Sequence, residues 1–350
     1  MTLLDGYTEA AILVKQNQEL VIDKIQLPES LGIGQVLVEL SVSGICGSQI
    51  GEITGAKGKD RYLPHLLGHE GCGTILKVGP GVKTLSEGDK VVLHWRKGAG
   101  IQSDTPKYTW QGKEVNAGWV TTFNRHAIVS ENRCTTIPSE TDPELAALFG
   151  CAITTGFGVV ENNAKVLMGE SLVVCGAGGI GLNIVQAASL SSAWPIIALD
   201  LFDSRLELAK KFGATHLINS SKKDPIEEIK KVLEDKELDI FIDNTGLPKV
   251  IEMGYQILGP QGRLILVGVP RHNQDINIHS LPLHFGKNII GSHGGESVPN
   301  KDIPRYLNLF NNGVWNINGI VSDRFTLEEI NYAIKLMRDG KTTGRIIINL

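Results

Sequence analysis

Three glycines and one aspartate carry the most explicit chemistry in this sequence. Gly176, Gly178 and Gly181 are spaced Gly-x-Gly-x-x-Gly, between the apolar run Leu172–Cys175 and a run of small and apolar residues over 182–190. At that spacing the first glycine permits a tight turn, the second lets backbone approach a pyrophosphate, and the third lets helix and strand pack closely. The start of the following helix faces the anion with unpaired N–H groups and the positive end of its dipole. Asp200 closes a second apolar run over 196–199, where a carboxylate can accept hydrogen bonds from both ribose hydroxyls of a dinucleotide. Cofactor contacts are therefore expected at Gly176, Gly178, Gly179, Ile180 and Gly181, at Asp200 and at Arg205.

These residues need a parallel sheet behind them, and the surrounding pattern supplies one. Helical and strand-like segments alternate: a helix over 205–212 stopped by Gly213, a strand over 215–219, a helix over 224–234, then strands over 238–243 and 264–267. This predicts a doubly wound α/β domain of the Rossmann type. The first part of the chain differs. Short runs at 10–14, 20–25 and 35–40, with turn signals at Gly79-Pro80-Gly81 and Glu87-Gly88-Asp89, predict a β-rich barrel-like domain. A polar stretch over 96–118 interrupts it and reads as a long loop able to touch substrate or partner. A last helix over 327–337 and a strand over 345–349 are expected to return to the first domain.

Bulk properties narrow the class. At 350 residues two domains are expected. The charge of -4 gives no reason to expect nucleic acid. No apolar run approaches the roughly 18 residues that span a bilayer, and the N-terminus lacks a signal peptide's basic and apolar blocks. The expected setting is cytoplasmic, without a membrane partner. Five scattered cysteines suit free thiols or metal ligands better than a disulfide framework.

Gly44-Ile45-Cys46-Gly47-Ser48, Gly68-His69-Glu70-x-x-Gly73, Gly150-Cys151 with Thr155-Gly156, and the glycine-rich turn resemble, in order and spacing, the zinc-dependent medium-chain alcohol dehydrogenases over essentially the whole chain. The resemblance implies a GroES-like catalytic domain over 1–152, a Rossmann domain binding NAD over 153–292, and a catalytic-domain return over 293–350. It implies that Cys46, His69 and Cys151 hold a catalytic Zn2+, an open Cys₂His set that leaves one position for water or substrate. Ser48 matches the hydroxyl that takes the alcohol proton, and Glu70 the carboxylate beside the metal. Thr155, Thr245, Val269 and Arg345 fall where the family lines the nicotinamide pocket or meets the pyrophosphate.

Three departures from the family pattern matter. Gln49 stands where an Asp is usual, Gly51 where many members have a His that ends the proton relay, and residues 96–118 contain no cysteine. One zinc per chain is therefore expected, without the family's structural-zinc lobe. The implied activity is hydride transfer between NAD and a small alcohol or carbonyl substrate. Polar and aromatic residues over 94–122, namely His94, Trp95, Arg96, Lys97, Lys107, Trp110, Lys113, Asn116 and Trp119, favour a polyol, sugar alcohol or anionic alcohol. The alternatives are a zinc-free quinone or enoyl reductase, which would lack the Cys46, His69, Cys151 set, and a non-catalytic NAD(H)-binding sensor. A homodimer or homotetramer built on the sheet edge near 281–291 is also implied.

Overall fold

The computed structural model describes residues 6–234 and 236–350. The chain forms two compact units, Met1–Cys151 with Val298–Leu350, and Ala152–Ser297. The second boundary falls at Ser297 rather than 292, because the turn Gly294–Glu296 packs against the helix Ala152–Gly158: a Cβ on Gly158 would lie 2.4 Å from the carbonyl oxygen of Gly295.

The first unit is β-rich. Strands Tyr7–Leu13, Val21–Gln26, Lys107–Trp110, Lys113–Asn116 and His65–Leu66 close a small barrel. Residues 96–118 are thus not one open loop. Lys107–Trp110 and Lys113–Asn116 form an antiparallel hairpin whose two-residue turn, Gln111-Gly112, has both φ angles positive at 51° and 74°. Such a turn matches the right-handed strand twist, and it costs a Gln in the left-handed region that only a paired hairpin repays.

A second sheet of the same unit centres on Gln35–Ile45, a strand five residues longer than the apolar alternation suggested. It pairs antiparallel with Glu70–Val78, with Ser43 opposite Gly71, and with Arg345–Asn349, with Ile45 opposite Ile346. Glu70–Val78 pairs in turn with Lys90–His94, with Glu70 opposite His94. The register gathers residues 46, 69 and 345 at one end of three neighbouring strands. The returning strand is inserted next to Gln35–Ile45, and its Ile346, Ile347 and Ile348 are at most 1% exposed.

The second unit holds a six-stranded parallel sheet in the order His216–Asn219, Ile196–Asp200, Leu172–Cys175, Leu238–Asp243, Leu258–Leu266, Asn288–Gly291. The central strands Ile196–Asp200, Leu172–Cys175 and Leu238–Asp243 are mostly buried apolar runs, as expected where helices cover both faces of a sheet. Helix starts are written locally: Asp224 accepts from the N–H groups of Ile226 at 2.8 Å and Glu227 at 3.0 Å, with Pro225 at the first helical position. No single helix among the described residues is long and apolar enough to cross a membrane.

Candidate metal and cofactor sites

Cys46 follows the strand Gln35–Ile45 and caps the N-terminus of the helix Gly47–Ile53. His69 immediately precedes the strand Glu70–Val78, and Cys151 follows the helix Pro143–Phe149 through Gly150. Strand pairing brings Cys46 and His69 together. Cys151 joins them because Gly150 passes so close to the sheet that a Cβ there would lie 2.3 Å from the Leu93 carbonyl oxygen and 2.7 Å from the Glu70 Cα. One ligand atom from each of the three lies within 4.8 Å of the others.

The donor set fits zinc. Bond lengths of about 2.0–2.3 Å at a tetrahedral centre put its ligand atoms on the order of 3.5–4 Å apart, within the spread seen. His69 Nε2 is buried without a hydrogen-bond partner, as a nitrogen reserved for a metal would be, and Ser48 Oγ is buried and unpartnered as well. Without the metal, the Cys151 thiol donates to Cys46, and with Arg345 and His69 this pulls the Cys46 thiol well below its usual range. The same contact pushes the Cys151 thiol up. Both thiols would have to be thiolates to hold a zinc ion.

Around this cluster lies a buried shell. Glu70, fully buried, meets the guanidinium of Arg345, itself 2% exposed, at 3.3 Å, and Arg345 Nη1 donates to the Ile45 carbonyl at 3.1 Å. Gly44 is obligatory here, since a Cβ would fall 2.4 Å from the Glu70 carboxylate. Arg345, expected at the nicotinamide or pyrophosphate, therefore has its guanidinium held in the shell of the metal cluster, for the physical reason that Glu70 needs a counter-charge. Gln49 is 1% exposed: its Oε1 accepts the Cys46 N–H at 2.9 Å and its Nε2 meets His69 Nδ1.

In the second unit the glycine-rich turn has the anticipated geometry. Gly176 has φ of 94°, a Cβ on Gly181 would lie 2.0 Å from the Gly176 carbonyl oxygen, and Gly178 faces open space. Gly179 and Ile180 begin the helix Gly179–Leu190, so its N-terminus is free to meet a phosphate. Asp200, 7% exposed, accepts from Ala177 N at 2.8 Å through one oxygen and from Leu201 and Phe202 N–H through the other, with Arg205 at 3.9 Å. It thus ties the glycine-rich turn to the second strand.

Other expected contacts fare differently. Thr155 is 4% exposed with an unpartnered Oγ1. The Thr245 hydroxyl is spent on Asp243 at 2.6 Å and on the Leu247 N–H at 3.1 Å, holding its own turn. Val269 is 62% exposed and is not a core residue.

The first unit carries a cleft of about 680 Å³ reaching the cluster through His69 and Gln49. Of the nine residues expected to face substrate, Asn116 and Trp119 line this cleft. Lys107 pairs with Glu114 at 2.8 Å and the Trp110 Nε1 donates to Asp23 at 2.8 Å, both uses internal to the barrel. His94, which opens that segment, is fully buried between the Arg96 carbonyl at 2.6 Å and Thr135 Oγ1 at 2.9 Å. The cations on this cleft wall are instead Lys57, Lys59 and Arg61. Their signal in the sequence is the basic, glycine-containing run Lys57-Gly58-Lys59-Asp60-Arg61 shortly after Ser48.

Comparison with known proteins agrees with this geometry. The family described as "Zinc-binding dehydrogenase" matches residues 179–312, and "Alcohol dehydrogenase GroES-like domain" matches residues 32–139. The chain is 29% identical to an S-(hydroxymethyl)glutathione dehydrogenase of Haemophilus influenzae over 97% of both proteins. It is 28% identical to a class-3 alcohol dehydrogenase of Cereibacter sphaeroides over 97% of this chain and 99% of that one. Among solved structures, the benzyl alcohol dehydrogenase of Acinetobacter calcoaceticus superposes with a TM-score of 0.88 at 30% identity, over 98% of this chain and 99% of the other. The chain belongs to the zinc-containing medium-chain alcohol dehydrogenase family. It is a zinc-dependent oxidoreductase acting on CH–OH donors with a nicotinamide cofactor.

Proposed function

We propose that the protein is an NAD-dependent dehydrogenase of a polar alcohol, a polyol, sugar alcohol or anionic alcohol, with one catalytic zinc per chain. The observation that carries this reading is the Cys46, His69, Cys151 cluster, with the buried, unpartnered His69 Nε2 and Ser48 Oγ, beside a cleft large enough for a polyhydroxylated molecule and lined in part by Gln16, Lys59, Arg61 and Asn116. The three residues would hold the metal, which supplies Lewis acidity toward an alcohol oxygen. Ser48 receives the alcohol proton. Glu70 and Arg345 fix the charge around the ligands, and Thr155 offers its hydroxyl to the reacting region of the cofactor.

NAD over NADP is supported by the Asp200 carboxylate, which repels a 2′-phosphate and, with three of its four lone pairs on backbone N–H groups, keeps one on Oδ2 for a free ribose hydroxyl. One zinc is supported by the other cysteines: Cys72, Cys134 and Cys175 are each buried singly in sheet cores, and burial pushes the Cys72 thiol up to about 11. Domain roles follow, with the first unit binding metal and alcohol and the second binding cofactor. A homodimer or homotetramer is supported by the edge strand Asn288–Gly291 and the neighbouring exposed Leu281, Leu283 and Phe285. Five free thiols suit a reducing, cytoplasmic setting.

Elemental analysis with an NAD-reduction screen over alcohols and polyols tests the proposal. Close to one zinc per chain is expected, with Cys46→Ser losing turnover while keeping its melting curve. Two zincs per chain, or full activity in that variant, would refute it.

A further inference from the structure

Charges around the cleft do not cancel. Lys57 is 3.7 Å from Glu52, and Asp60 is taken by His65 at 2.8 Å. Lys59 and Arg61, which line the same wall, have no carboxylate within ion-pair distance among the described residues. Exposed Tyr62, at 70%, and Trp119, at 59%, line the cleft as well, the kind of flat apolar faces on which a sugar ring stacks.

An independent observation lies behind Trp119. The guanidinium of Arg133 sits 4.8 Å from the centroid of that ring, and Arg133 is 3% exposed. It donates to two neutral acceptors, the Trp95 carbonyl and Gln102 Oε1, its Nε has no partner, and no carboxylate among the described residues pairs with it. Burial, with Arg96 nearby, draws it down to about 10, so it is still a cation at neutral pH. A buried cation held only by neutral groups is costly unless an anion shares its field, and that field spreads through the ring and the protein more strongly than through water.

We infer that the cleft selects an alcohol carrying a second, anionic group, phosphate or carboxylate, gripped by Lys59 and Arg61 over the Trp119 face with Arg133 as the fixed charge behind it. This rests on the proposed dehydrogenase function and deepens it. The cleft volume is many times that of a simple alcohol and within the range of sites that enclose a whole small metabolite. Guanidinium and ammonium groups side by side suit an oxyanion, the first bidentately and the second as a point charge.

The test is binding, read by calorimetry on the zinc-loaded protein at low salt, with sorbitol, sorbitol 6-phosphate and gluconate as probes. At least one of the two anions is expected to bind tenfold or more tightly than sorbitol, with the advantage shrinking in concentrated salt. A preference for sorbitol 6-phosphate identifies the group as phosphate, and for gluconate as carboxylate. The double variant Lys59→Gln/Arg61→Gln, at two exposed positions, is expected to cut the anion-to-sorbitol affinity ratio severalfold. Equal binding of all three probes, or an anion preference undiminished in the double variant, overturns the inference. Failure of the dehydrogenase reading is separate: it would show as anion-selective binding without NAD reduction on any alcohol, whereas rapid turnover of neutral alcohols with no anion preference sinks the anion inference alone.

Discussion

Gln49 and His69 share a contact that a neutral amide serves poorly. With Oε1 on the Cys46 N–H at 2.9 Å, the Nε2 of Gln49 faces His69 Nδ1, yet a neutral histidine that ligates through Nε2 carries its proton on Nδ1 and wants an acceptor there. With the oxygen turned to Cys46, the amide offers His69 only its NH₂ end. Gln49→Glu has two oxygens in nearly the same volume and is expected to slow zinc loss to a chelator by about tenfold, with Gln49→Ala speeding it by roughly 10–100-fold. Equal release rates in all three proteins would show that this contact does not act on the metal.

The Glu70–Arg345 pair invites a stability measurement. Both groups are buried, so removing the carboxylate leaves a guanidinium without its counter-charge. Glu70→Gln is expected to lower unfolding free energy by about 3–5 kcal/mol. Denaturant titration of the first cooperative transition reads it, and a change below 1 kcal/mol would contradict the pair's structural weight.

His94 makes the fold acid-sensitive. Burial pulls its pKa down to about 4, against roughly 6.5 in the unfolded chain. The neutral ring's contribution is complete above 6.5, is lost as pH falls from 6.5 toward 4, and changes no further below 4. The full loss is about 3 kcal/mol. Replacing His94 with Gln should lower stability at pH 7.5 but flatten its slope between pH 6.5 and 4. Parallel pH profiles for the two proteins would rule this out.

Asp200 would link cofactor choice to the glycine-rich turn, because the carboxylate proposed to meet the ribose also accepts the Ala177 N–H. Asp200→Gly is expected to cut kcat/KM for NAD by more than tenfold and to narrow the NAD-to-NADP ratio. A wild-type preference for NADP would run against the assignment.

The glycine-rich unit was legible because it is local: Gly176 through Asp200 form turn, helix and strand directly after Leu172–Cys175, each residue's conformation set by near neighbours. The candidate metal ligands were not legible from spacing, since Cys46, His69 and Cys151 meet only through the register of strands far apart in sequence. Resemblance nominated them. The hairpin Lys107–Asn116 was missed because its strands are polar outside, with Tyr108 and Val115 as their only fully buried residues. Arg133 escaped notice for a different reason: a cation in a sequence reads as surface, and nothing local shows that this one is buried without an acid.

That hairpin also has a spectroscopic consequence. Where much of the family folds a lobe around a second metal held by four thiolates, this chain closes its barrel with backbone hydrogen bonds and no cysteine. Cobalt exchanged into the protein would meet a single thiolate-bearing cluster among the described residues. Its sulfur-to-metal absorption would then report one coordination sphere, undiluted, as alcohols and anions enter the cleft.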